Sequence, residues 1–232
     1  MKTKLIKEKS DCKRGLILAL HSCSTTLGVA IIDSQAPENS LSTNTFPVGR
    51  SLSNNIVNCV EEILPASSWN QLDRISVAIG PGGFTGTRLS VVMARTLAQQ
   101  LDCPLDGISS FALMAPRLSR SLHIKNRNEP FWITQELPRT GILAGKYQIK
   151  SNSKIANFEI ALELQKPQLL NPGLKVEPAI KASDNVAIDV VQLLQISLLG
   201  KKIGQHANWQ KVLPIYPTSP IKNIHKNSPI QT

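Results

Sequence analysis

The chain has 232 residues, a formal net charge of +10, 41% hydrophobic and only 4% aromatic residues. The length allows one large domain or two small ones, and the hydrophobic fraction is ordinary for a folded protein. No apolar run approaches the length of a membrane span, and the N-terminus lacks the apolar core of a signal peptide. These observations exclude a membrane-spanning protein and predict a cytoplasmic one.

The positive charge is concentrated at the two ends of the chain. Residues 1–14 carry +4 and residues 201–232 carry +5, which leaves +1 for residues 15–200. Basic ends favour polyanions such as RNA, although such tails more often only keep a protein in solution. Because no aromatic residues alternate with the basic ones to stack bases, we expect any RNA contact by these ends to be auxiliary.

The first part of the chain predicts an α/β lobe of order β-β-β-α-β-α-β with a mixed sheet. Short apolar runs form the strands, the first two as a hairpin. A helix begins at Ser51 or Ser53 and ends at Pro65, with apolar residues at helical spacing. The strands are predicted at residues 15–22, 27–33, 42–48, 75–79 and 105–108.

The segment 76–101 organises this lobe. Gly80-Pro81-Gly82-Gly83 breaks the strand, and a helix begins near Gly86, capped by Thr85 or Thr87, and ends before Asp102 and Pro104. Small residues recur along this helix at every fourth position, which lets another backbone come close. Its own sheet must cover one side, and a neighbouring helix or a partner protein the other. These small residues are Gly86, Ser90, Ala94 and Ala98.

The glycine loop does not match the usual phosphate-binding motifs. A P-loop needs a lysine, and none occurs between Ser51 and Arg120; the dinucleotide motif needs glycine where Thr85 stands. A glycine loop at a helix N-terminus can still bind an anion. The alternative, which the residues favour, is a tight turn that serves only packing.

The second part of the chain predicts a further lobe. A short helix at 109–118 and a loop at 117–130 lead to strands at 131–134 and 141–149. Alternation of apolar residues favours a strand at 158–164, with a short helix as the alternative, before a turn at 171–173. The last helix is capped by Ser183, ends at Gly200 and buries five residues, and an apolar segment follows at 212–216. The five residues are Ala187, Val190, Val191, Leu194 and Leu198.

The residues that carry chemistry form no recognisable catalytic, cofactor or metal site. The histidines and the four cysteines lack metal-binding spacings. His21-Ser22-Cys23 suggests either a nucleophile or, more simply, a polar turn. Asp73, Asp102 and Asp106 are expected to cap element ends. The strand ends that should face a cleft carry His21 and Gln135, and neither side chain neutralises magnesium as a carboxylate does.

Two segments resemble the bacterial TsaB (YeaZ) family. They are Leu16-Ile-Leu-Ala-Leu-His-Ser-Cys-Ser-Thr-Thr-Leu-Gly-Val-Ala and Gly80-Pro-Gly-Gly-Phe-Thr-Gly-Thr-Arg-Leu-Ser. The likeness covers about residues 15–115, is weak in the second lobe and returns at Pro214-Ile-Tyr. It implies an α/β fold of the actin-like ATPase (ASKHA, ribonuclease H-like) type, with two lobes and mixed sheets. The chain then divides into a basic tail at 1–14, lobes at 15–115 and 116–220, and a tail at 221–232.

The resemblance also implies a non-catalytic subunit. Such a subunit stabilises the catalytic paralogue TsaD and, with the ATPase TsaE, takes part in forming threonylcarbamoyladenosine beside the anticodon of tRNA. It forms a homodimer when alone and meets tRNA through the complex. The alternative is a weak nucleotide phosphohydrolase or a peptidase of the same fold. His21 and Gln135 depart from the family's usual Asp-containing motifs, which argues against hydrolysis and leaves a specialised member open.

In this family the first-lobe helices form the dimer contact, which places the partner interface on the glycine loop and its helix. The expected interface residues are Gly82, Gly83, Phe84, Thr85, Gly86, Arg88, Ser90, Val92, Ala94, Arg95 and Ala98.

Overall fold

A computed structural model of the protein describes residues 15–122, 129–151 and 158–216. Two sheets and four α-helices make up this part of the chain, with one-turn 3-10 helices at Gly49–Ser51 and Trp209–Lys211 and a longer one at Ala66–Gln71. The predicted tails at 1–14 and 221–232 lie outside it. In chain order the elements are β1 Leu16–His21, β2 Leu27–Asp33, β3 Ser42–Phe46, α1 Leu52–Ile63, β4 Leu72–Ala78, α2 Phe84–Leu101, β5 Leu105–Ile108, α3 Ser110–Ser119, β6 Phe131–Leu137, β7 Gly141–Ser151, β8 Glu159–Leu169, β9 Ala179–Lys181 and α4 Val186–Lys202.

The first sheet has the strand order β3-β2-β1-β4-β5 and confirms the predicted mixed lobe. β1 pairs antiparallel with β2 and parallel with β4. Its residues alternate between the two faces, since Leu18 and Leu20 pack with α1 and α2, whereas Ile17 and Ala19 pack with α4. β1 is therefore a central strand that is apolar on both sides, as the unbroken run of apolar residues predicts.

α2 begins two residues earlier than predicted, and the predicted threonine caps are wrong. Gly83 is the N-cap residue, Thr85 is exposed, and the Thr87 hydroxyl donates to the Gly83 carbonyl at 2.9 Å. The cap lies close to the end of β1, because the Gly83 amide donates to the Cys23 carbonyl at 2.6 Å. A Cβ at Gly82 would lie 2.1 Å from the same oxygen, so glycine is needed for this approach.

The second sheet has the order β8-β7-β6-β9 and packs on α3. The predicted hairpin of β6 and β7 is confirmed, and β8 is a strand rather than a short helix. The sequence prediction missed β9, which has only three residues and pairs parallel with β6. Residues 123–128 of the predicted loop at 117–130 lie outside the described residues, and the first three residues of the predicted loop belong to α3.

α4 follows the second sheet in the chain but packs on the first. The predicted Ser183 cap is wrong, because the Asn185 side chain accepts a hydrogen bond from the Ile188 amide. Gly200 is also not a stop signal, since it lies buried inside the helix where a Cβ would be 2.9 Å from the Arg74 guanidinium. Ala187 is exposed rather than buried. The predicted boundary between lobes near residue 115 stays a prediction.

A buried polar cluster joins α4 to the centre of the first sheet. Arg74 makes two hydrogen bonds of 2.7 Å to the Asp106 carboxylate, and the Ser197 hydroxyl donates to it at 2.7 Å. Asp106 is therefore a buried partner inside β5 and not the predicted cap. Asp73 forms an ion pair with Lys201 at 2.5 Å, at the opposite end of β4 from the glycine loop.

Candidate partner-binding surface

Contacts from three other segments hold the glycine loop after β4. The Ser110 hydroxyl donates to the Pro81 carbonyl at 2.5 Å, and the Ile215 amide donates to the Ile79 carbonyl at 2.7 Å. The Gly80 peptide with Pro81 is cis, and Gly80 has a φ of 95°. The loop is thus held by the end of β1, by α3 and by residues 209–216, which we call the C-terminal segment.

The predicted stripe of small residues on α2 faces the protein's own first sheet. Ser90, Ala94 and Ala98 are fully buried there, so they cannot contact a partner. This burial corrects the prediction that they belong to the interface. A Cβ at Gly86 would lie 2.5 Å from the Ser22 carbonyl. The small residues therefore do permit another backbone to come close to α2, but that backbone is the end of β1 and the sheet to which it belongs.

Other predicted interface residues lie on the outer side of α2. Gly82, Gly83 and Thr85 are exposed at its N-terminus. Phe84 is 52% and Val92 61% exposed, and both lie on the same helix.

Two arginines on α2 lie on aromatic rings, which come from α2 itself and from the C-terminal segment. The Arg88 guanidinium lies 3.5 Å from the centroid of the Phe84 ring and 4.9 Å from that of Tyr216, and its Nε donates to the Tyr216 hydroxyl at 3.0 Å. The Arg95 guanidinium lies 5.8 Å from the Trp209 ring centroid. Sequence reasoning missed both C-terminal aromatics, since nothing near them in the chain indicates contact with α2.

The opposite flank of α2 packs on α1. Leu89, Met93 and Leu97 are half-buried against the core that α1 shares, and Val57 on α1 is 47% exposed. The outer side of α1, α2 and the C-terminal segment forms one layer over the first sheet. We call its exposed or half-exposed residues the docking surface: Val57, Phe84, Arg88, Val92, Arg95, Trp209 and Tyr216.

A cleft of about 620 Å³ adjoins this surface where α1 and α2 begin. Its lining includes Arg50, Ser53, Thr85 and the carboxylate-bearing Asp184. Two helix N-termini and an arginine favour an anion here, whereas Asp184 opposes one. Anion binding by the glycine loop stays a prediction.

His21 is the last residue of β1, and its side chain makes no hydrogen bond to any of the described residues. The side chain is 2% exposed, and neither ring nitrogen has a hydrogen-bond partner there. Burial lowers its pKa below the ordinary value of 6.5, although the charges of Asp189 and Asp184 act in the opposite direction. The Ser22 hydroxyl oxygen instead lies within hydrogen-bond distance of the Gly86 carbonyl and of the Ser90 hydroxyl, 2.8 Å from each. No serine–histidine pair is therefore formed.

The other residue of the expected cleft, Gln135, is half-buried on β6 in the second sheet. Asp189, whose charge acts on His21, forms an ion pair with Arg117 at 2.8 Å. Within the described residues, no group of three or more His, Cys, Asp or Glu side chains is placed to hold a metal ion.

None of the helices in the described part of the chain combines the length and apolar character that a membrane crossing requires.

Comparison with known proteins identifies related sequences. A protein-family model described as "TsaD: tRNA N6-adenosine threonylcarbamoyltransferase" matches residues 47–213, which is more than half of the chain. The tRNA threonylcarbamoyladenosine biosynthesis protein TsaB of Bacillus subtilis is 30% identical over 143 residues, covering 58% of this chain and 56% of that protein. TsaB of Buchnera aphidicola is 26% identical over 103 residues, covering 40% and 46%. The matches thus span about half the length of these relatives.

Solved structures show the same fold. A protein "with similarity to peptidase YEAZ" from Pseudomonas aeruginosa superposes with a TM-score of 0.65 at 18% identity, covering 88% of this chain and all of that one. YeaZ from the same organism gives 0.58 at 19% identity, covering 87% and 99%. The predicted two-lobed actin-like fold is confirmed.

Proposed function

Since the chain belongs to the TsaB (YeaZ) family, we propose that it is a non-catalytic subunit in the formation of N6-threonylcarbamoyladenosine in tRNA. In this role it binds and stabilises the catalytic paralogue TsaD. The two curated relatives are named for threonylcarbamoyladenosine biosynthesis.

The observation that carries the proposal is the docking surface. Val92 and Phe84 are more than half exposed on α2. They lie near Arg88 and Arg95 of the same helix and near the aromatic residues of the C-terminal segment. Exposed apolar side chains bordered by polar ones mark protein interaction sites, and Arg, Trp and Tyr are enriched among residues that dominate binding energy. Burying a side chain such as Val or Phe completely contributes roughly 1.5–3 kcal/mol.

The end of β1 supports a non-catalytic role. A general acid or base must reach the reacting group and change its protonation near neutral pH. His21 is only 2% exposed, and its lowered pKa favours the neutral ring. The adjacent Ser22 is engaged with α2 and lacks an activating base.

The further partners follow from the same assignment. A TsaE-like ATPase joins the complex, tRNA is bound indirectly through it, and the chain alone forms a homodimer in the cytoplasm.

Co-purification with the TsaD paralogue of the same organism tests the partner role. Val92→Arg should abolish capture, because it puts a charge at the centre of the docking surface without disturbing the core. The matched control is Leu174→Arg, which changes a 52% exposed apolar residue between β8 and β9. Equal capture of both variants would contradict the assignment of this surface.

Phosphate release tests the alternative. The purified chain with ATP and Mg²⁺, without TsaE, should show no turnover above a Gly83→Val variant. Steady turnover by the wild type alone would favour the nucleotide phosphohydrolase.

A further inference from the structure

We propose that the docking surface recognises its partner through two partner carboxylates, one at Arg88 and one at Arg95, with an apolar partner side chain on Val92 between them. This rests on the proposed function and adds the chemistry by which the surface selects a partner.

The two arginines are held in place before any partner arrives. They are seven residues apart, so they lie on one flank of α2, roughly 10 Å apart along its axis. The Arg88 guanidinium contacts both the Phe84 and the Tyr216 ring, and that of Arg95 lies near Trp209. A guanidinium held on aromatic rings loses less conformational freedom when it binds a carboxylate.

Neither arginine has a carboxylate of its own. The helix from Phe84 to Leu101 contains no Asp or Glu, and within the described residues neither guanidinium forms an ion pair. By contrast, Arg74, Arg117 and Arg120 each pair with an acid at 2.7, 2.8 and 3.2 Å. The Nη groups of Arg88 and Arg95 thus remain able to donate in the paired geometry that suits a carboxylate.

The apolar residues beside the arginines indicate a protein rather than RNA. Val92 is exposed between the two guanidinium groups along the helix, and Val57 is exposed on the α1 side. A protein interface buries such residues at its centre and leaves charges towards its rim. A phosphate backbone would use the arginines but gain little from the valines.

Titration calorimetry with the TsaD paralogue of the same organism tests the proposal at 50 and 300 mM NaCl. We expect the combined Arg88→Glu and Arg95→Glu change to weaken binding about a hundredfold and to reverse the salt dependence, because salt then screens a repulsion instead of an attraction. Arg88→Lys with Arg95→Lys keeps the charge but loses the paired N–H donors of the guanidinium, and should weaken binding about tenfold. The control is Arg139→Glu, on an exposed turn of the second lobe, which should bind like wild type.

The outcomes separate the two proposals. If wild type does not bind the paralogue, the proposed function fails, and this inference with it. If wild type binds and the double Glu variant binds equally well, only the carboxylate inference is overturned. Should the Glu variant not fold, as judged by circular dichroism, Arg88→Gln with Arg95→Gln is measured instead and should bind at least tenfold more weakly. Loss of tRNA binding with unchanged paralogue affinity would also overturn it.

A charge exchange gives the positive test. Arginine substitutions of single surface Asp and Glu residues on the paralogue should include one that restores binding to Arg88→Glu. Absence of rescue across all of them would overturn the proposal.

Discussion

The Arg88 Nε donates a hydrogen bond of 3.0 Å to the Tyr216 hydroxyl, which joins two residues 128 positions apart in the chain. The ring centroids of Tyr216 and Phe84 lie 6.0 Å apart, so the arginine contacts both rings while it stays half-exposed. The C-terminal segment is thereby part of the docking surface and orients the Arg88 side chain.

Tyr216 should therefore affect partner binding through Arg88. We expect Tyr216→Ala to weaken binding to the TsaD paralogue about tenfold, equivalent to about 1.4 kcal/mol, because Arg88 loses both a ring and an acceptor. Tyr216→Phe keeps the ring and loses one hydrogen bond, which costs about 0.5–1.5 kcal/mol at most. Calorimetry gives both affinities, and Tyr216→Ala binding as tightly as wild type would show that the ring does not position Arg88.

Burial of the small residues on α2 predicts an effect on stability. Ala94→Leu adds three carbons where the side chain is fully buried against the first sheet, and such overpacking costs about 1–3 kcal/mol. Val92→Leu, two residues earlier on the exposed side, should change the free energy of unfolding by less than about 0.5 kcal/mol. Urea unfolding measures both values. Equal stability of the two variants would mean that the stripe is not packed as described.

The first sheet could be predicted from sequence because its signals are local. Short apolar runs marked β1, β2, β4 and β5, and glycine and proline marked the breaks between them. Small residues on α2 likewise predicted a close approach. They could not show what approaches, since the sheet and a partner backbone make the same demand on side-chain size.

The parts that could not be predicted depend on distant contacts or on competing local signals. Tyr216 and Trp209 reach α2 only after the second lobe has returned the chain to the first. Gly200 resembles a helix stop, yet it lies inside α4. Glycine is found there because Arg74 from β4 occupies the space that a Cβ would need. Several residues that can cap stand before α2 and α4, and tertiary packing decides which of them does.

The buried ion pair predicts an asymmetry between single and double substitutions. Arg74 is 3% and Asp106 8% exposed, so Asp106→Asn leaves a buried cation without its counter-ion, at a cost of about 3–5 kcal/mol. The combined Arg74→Met and Asp106→Leu change removes both charges and should cost clearly less. Glu136→Gln, which breaks the exposed pair with Lys181, is the control and should change stability by less than about 1 kcal/mol. Urea unfolding that ranks the double variant below Asp106→Asn would contradict this account.

The buried His21 side chain leads us to expect that the free energy of unfolding decreases in mild acid. Burial lowers its pKa in the folded protein below 6.5, so the unfolded chain binds the proton more readily as the pH falls through that value. Stability should therefore rise with pH below 6.5 and lose this dependence above it, because the state that binds more protons is favoured by acid. His21→Leu should flatten the slope between pH 5 and about 6.5, whereas His206→Leu, which replaces an exposed histidine, should keep it. Urea unfolding from pH 5 to 8 measures the slopes, and an identical slope in wild type and His21→Leu would show that His21 is protonated equally in both states.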